Sequence, residues 1–79
     1  MRPTRERVED FLRLNAGQRY TPTEIGVGIG VPRDEASARV NWTLKKLAQE
    51  GKVKRANLTG TKEAVGRRGN YVVYWWIGN

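Results

Sequence analysis

The chain predicts an α+β domain, with three helices followed by a small antiparallel β-sheet that ends in a basic hairpin. Three observations carry that prediction. The stretch Thr21–Pro32 (TPTEIGVGIGVP) reads as a short helix and a turn, and Arg33–Glu50 (RDEASARVNWTLKKLAQE) as a longer cationic helix. Gly51 stops that helix, a basic strand follows in Lys52–Asn57, and an aromatic strand closes the chain in Tyr71–Ile77. At 79 residues the chain makes one domain, residues 1–79, with no room for a separate effector domain.

The first helix begins at Thr4, a plausible N-cap, and runs to about Asn15. Val8, Phe11 and Leu12 recur at i, i+3 and i+4 and give it one apolar stripe. Gly17 suits the left-handed position after its end, and Arg19-Tyr20 reads as a short extended strand. In the second helix Thr21 caps, Pro22 takes the first helical position and Glu24 completes a capping box. Gly26 and Gly28 cost this helix about 1 kcal/mol each relative to alanine, so it must lean on packing through Ile25 and Ile29. Close approach of the second helix to the third explains these glycines. The run Gly26–Gly30 is not a dinucleotide fingerprint, because its third glycine is misplaced and no long strand precedes it.

At 100° per residue the third helix places Ala36, Val40, Thr43, Leu44 and Leu47 on one side. Arg39, Trp42, Lys45, Lys46 and Gln49 fall on the other, with Asn41 on the border. Asp34 near its start favours the helix dipole. Val53 then begins a strand, Leu58–Asn70 reads as a long glycine-bearing tip, and Tyr71–Ile77 is rich in strand formers. Adjacent tryptophans in a strand face opposite ways. Trp75 is expected in the core with Val73 and Ile77, leaving Val72, Tyr74 and Trp76 as an exposed apolar strip. Such a strip would cover the sheet's outer face against the first helix, or contact a protein partner or a second copy in a homodimer.

Charge points to a polyanion. The formal net charge is +7, which makes nucleic acid the default partner and an anionic membrane the lesser one. From Lys52 to Asn70 the cations Lys52, Lys54, Arg55, Lys62, Arg67 and Arg68 face the single acid Glu63. Catalysis is poorly supported. His and Cys are absent and Ser37 is the sole serine, which removes the common nucleophile–base pairs, the disulfides and most metal sites. Glu6, Glu9 and Asp10 on the first helix read as its solvated face. No enzyme, cofactor or metal is expected. The longest apolar run, Tyr71–Ile77, is too short to span a bilayer, so a cytoplasmic, nucleoid-associated protein is expected.

The run Leu44-x-x-Leu47-x-x-x-Gly51-x-Val53, followed by a basic hairpin, resembles the winged helix-turn-helix DNA-binding domains of bacterial, archaeal and phage regulators. The resemblance spans Thr4 to Ile77 and implies a double-stranded DNA-binding protein, a small transcriptional regulator. It makes the third helix the recognition helix, with Arg39, Asn41, Trp42, Lys45 and Lys46 toward the major groove. The wing would then carry Lys54, Arg55, Lys62, Arg67 and Arg68 over the phosphates. Trp42 is unusual there: it would stack on sugar or a thymine methyl, or else pack under the wing. The chain departs from the family in a longer stretch between Gly30 and Leu47 and in lacking a dimerisation helix. The same fold also serves as a protein-interaction module docking on host or transcription machinery, and as an RNA binder.

Overall fold

A computed structural model describes residues 3–62 and 67–78, and the side chains of all of these except 61, 62, 67 and 68. Three helices precede an antiparallel hairpin: α1 (Thr4–Leu14), α2 (Pro22–Gly28), α3 (Arg33–Gln49), β1 (Val53–Lys62) and β2 (Arg67–Trp76). The class is therefore α+β, with three helices and a two-stranded antiparallel sheet.

Local chemistry sets the helix ends. Thr4 is the first helical residue of α1 rather than its cap, which is Pro3 without a side-chain bond. The Thr21 hydroxyl accepts from the Glu24 amide at 3.2 Å, and the Glu24 carboxylate accepts from the Thr21 amide at 2.8 Å. That reciprocal pair satisfies two of the donors left over at the start of α2. Gly30 and Gly51, at φ +92 and +77, make the left-handed turns that end α2 and α3.

One core joins every element. Val8 and Leu12 of α1, Ile25 of α2 and Ile29 beside it, Val40, Leu44 and Leu47 of α3, and Val53, Tyr74 and Trp76 of the hairpin form a single buried cluster. Gly26 brings α2 against α3: a Cβ there would lie 2.4 Å from the Ala36 Cβ and 2.7 Å from its Cα. Gly28 serves a different neighbour, since its missing Cβ leaves room for the Phe11 ring of α1. Gly26→Ala should therefore destabilise the fold by about 1–3 kcal/mol, because Ala36 is met at its backbone. The alanine's better helix propensity, about 1 kcal/mol, works against that cost. Urea melts test this, and a stabilised variant would show that α2 can stand further from α3.

The hairpin departs from expectation in two ways. Its strands run on through Lys62 and from Arg67, so most of the stretch expected as a loose tip is paired. The ladder is continuous across Leu58↔Tyr71 and Thr59↔Asn70, and Gly60 faces Gly69, both at positive φ. Residues 63–66, including Glu63 and Gly66, lie outside the described residues.

The second departure is the facing of β2. Val72, Tyr74 and Trp76 do not form an exposed strip: Tyr74 is 3% and Trp76 8% exposed, and both belong to the core. Trp75 is instead half-buried on the reverse face, with the Arg19 guanidinium 4.5 Å from its ring centre, and Ile77 is exposed, whereas Val73 is buried as expected. The register explains the inversion. Val53 pairs with Trp76, and once Val53 turns inward every second residue of β2 counted back from Trp76 must follow. The expected dimer or partner contact through Val72, Tyr74 and Trp76 thus loses the exposed surface it required. Tyr20 adds only a bridge to Tyr74, not a third strand.

Ion pairs fasten the end of the domain away from the hairpin tip. Arg5 of α1 bonds Glu50, and Lys52 reaches Glu9 at 3.2 Å and Glu50 at 3.7 Å. The Arg5 bond and the Lys52 charge, outweighing desolvation, hold the Glu50 carboxyl below its ordinary range. Glu9 is thus part of a tie between α1 and the end of α3, beyond a merely solvated face.

Candidate nucleic-acid interface

The residues expected to touch a partner divide into two groups according to where α3 turns them. At 100° per residue Lys45 lies about 40° from Asn41, whereas Arg39 and Lys46 lie about 140–160° away and Trp42 about 100°. The hairpin stands on the Asn41 side. There Ser37 and Asn41 of α3, Thr21, Pro22 and Thr23 at the start of α2, and Asn57, Asn70, Tyr71 and Val72 of the hairpin line a groove of about 220 Å³.

Among the described residues no charged side chain lines this groove. Asn41 Nδ2 donates to the Ser37 hydroxyl at 3.3 Å, one helical turn back. The Thr59 hydroxyl donates to Asn70 Oδ1 at 3.2 Å across the strands. Asn57 and Asn70 share a sheet face because Asn57 pairs with Val72 and Thr59 with Asn70, making them diagonal neighbours. Arg55 lies on that face too, exposed, two residues before Asn57. Lys45 is exposed beside the groove on α3. Among the described residues neither Lys45 nor Arg55 takes part in an ion pair.

The rest of the expected set is dispersed. Lys54 pairs with Trp75 and so belongs to the reverse face of the hairpin. Arg39 makes an exposed ion pair with Glu35 at 3.1 Å, one helical turn back. Trp42 does not pack under the hairpin: it is 69% exposed, with Lys46 Nζ 5.0 Å from its ring centre. The side chains of Lys62, Arg67 and Arg68 lie outside the described residues, although their backbone belongs to the strands.

Asn57, Asn70, Ser37 and Thr23 were not singled out by the sequence. Their one signal is weak: two asparagines at positions of one sheet face, visible only when the hairpin register is known. Among the described residues no group of acids could hold a metal ion. No helix of the described residues is long and apolar enough to cross a membrane. Comparison with protein-family models, with curated proteins and with solved structures finds no match for the chain.

Proposed function

We propose that the chain is a winged helix-turn-helix domain that binds double-stranded DNA and acts as a small transcriptional regulator. The observation that carries this reading is the polar groove between α3 and the hairpin, with Lys45 on the adjoining helix face and Arg55 on the adjoining sheet face, both exposed and in no ion pair among the described residues. A net charge of +7 supplies the long-range attraction. In this reading α3 enters the major groove by its Asn41–Lys45 side, and the hairpin lies over the backbone as a wing. Arg39 and Lys46, turned away from the groove, reach flanking phosphates at most.

Titration with random duplex DNA at low and moderate salt tests the proposal. Wild type should bind at low salt and weaken steeply as salt rises. Lys45→Ala with Arg55→Ala should weaken binding and flatten the slope of log affinity against log salt by roughly one to two units, as two phosphate contacts are lost. Absence of binding at low salt would sink the reading. A second reading would then take its place, a protein-docking module anchored by the exposed Trp42 indole.

A further inference from the structure

A DNA groove whose described lining is uncharged needs its own explanation. We infer that it grips a phosphodiester of one DNA strand through the uncharged donors of Asn57, Asn70 and Asn41, the cations being confined to its rim. This rests on the DNA-binding reading above and deepens it by assigning a contact to residues outside the basic set.

The hydrogen bonds already made determine which polarity each amide offers. Asn70 has its oxygen engaged by the Thr59 hydroxyl, so both hydrogens of Nδ2 remain to be donated. Asn41 uses one Nδ2 hydrogen on Ser37 and keeps the other. Asn57 makes no side-chain hydrogen bond among the described residues, so its amide can turn either end toward a ligand. Asn57 and Asn70 together with Asn41 thus hold five amide hydrogens open to a ligand, and the phosphodiester accepts on every nucleotide whatever the sequence. Such donors, placed without a fixed base-reading geometry, fit the group that only accepts and recurs at every step of the strand.

Size agrees with that choice. A groove of about 220 Å³ has room to seat a phosphate group. The Asn57 and Asn70 Cβ atoms, as diagonal cross-strand neighbours, stand about 7–8 Å apart or less. Two amides at that spacing can converge on one phosphate. Among the described residues no acid lines the groove to repel it.

Uncharged donors leave a signature that cations do not. They release no counterion, so their loss weakens binding without altering its salt dependence. The full chain would be titrated against two unrelated duplexes across a salt series, with thermal melts to confirm folding. Asn57→Ala with Asn70→Ala is expected to lower affinity about tenfold or more on both duplexes, with the salt slope of wild type. Asn70→Asp, which sets an anion against the phosphate, should bind both duplexes more weakly still. Wild-type affinity in the double variant, a loss confined to one duplex, or a flattened slope would each overturn the groove assignment while leaving DNA binding standing. Wild type that binds neither duplex at low salt would overturn the DNA reading and the groove assignment with it.

Discussion

Trp76→Ala should destabilise the domain by about 3–5 kcal/mol, the range for emptying a large aromatic site in a core. Trp76 is 8% exposed and packs in the one cluster that holds Val53, Leu47 and Tyr74. A chain of 79 residues has about 4–12 kcal/mol of stability in all, so the loss would take from about a quarter of that stability to all of it. Trp75→Ala is the control. Its indole is half-buried and its named partner is Arg19, a cation–π contact of about 0.5–1 kcal/mol at such a site. Urea denaturation of both variants compares the two faces directly. A larger loss in Trp75→Ala would mean that the strand faces the other way, with Trp76 outward.

That contrast shows what the sequence could and could not tell. The capping box at Thr21 and Glu24, the buried stripe Ala36–Val40–Leu44–Leu47 and the turn at Gly51 are local signals, and each appears where the residues placed it. The alternation in β2 was equally legible, since Trp75 and Trp76 had to part. Which of them points inward is not local. It depends on the pairing of Val53 with Trp76, a contact 23 positions apart, which turns Trp76 inward and Trp75 outward while Val73 stays buried as expected. Ile77 goes with Trp75, expected inside and found exposed.

The candidate site was legible in part for the same reason. Asn41 and Lys45 stood out because a helix displays its polar arc in one dimension. Arg39, Trp42 and Lys46 stood out equally, although the hairpin docks on only one border of that arc. Nothing in the α3 sequence says which border. Asn57 and Asn70 drew no notice, for they reach Asn41 only after the strands have paired and the hairpin has settled on the helices. Charge made the basic residues conspicuous, while the uncharged lining between them depended on tertiary structure.

Leu47→Ala and Lys45→Ala should separate folding from binding along a single helix. Leu47 is wholly buried between Leu44, Val53 and the rest of the core cluster, so its truncation should cost about 2–5 kcal/mol. At about 4–8 °C per kcal/mol for a domain of this size, the melting midpoint should fall by at least about 8 °C. Lys45 is exposed and without an ion pair among the described residues, so Lys45→Ala should stay within about 0.5 kcal/mol of wild type. Asn41→Ala is intermediate, since it loses the 3.3 Å bond to Ser37 at a half-buried site, worth about 1 kcal/mol. The order should reverse for binding. Measured well below its midpoint, the folded fraction of Leu47→Ala should hold DNA as wild type does, because Leu47 points into the core and its loss leaves the outer arc in place. Lys45→Ala should lose affinity on every duplex if it meets a phosphate, or mainly on a preferred duplex if it meets guanine, where about 1–3 kcal/mol is at stake. Thermal melts paired with titrations on a selected and a scrambled duplex read both axes. If Lys45→Ala and Asn41→Ala both bind the two duplexes as wild type does, the Asn41–Lys45 side of α3 does not meet DNA, and the protein-docking reading through the exposed Trp42 side moves ahead.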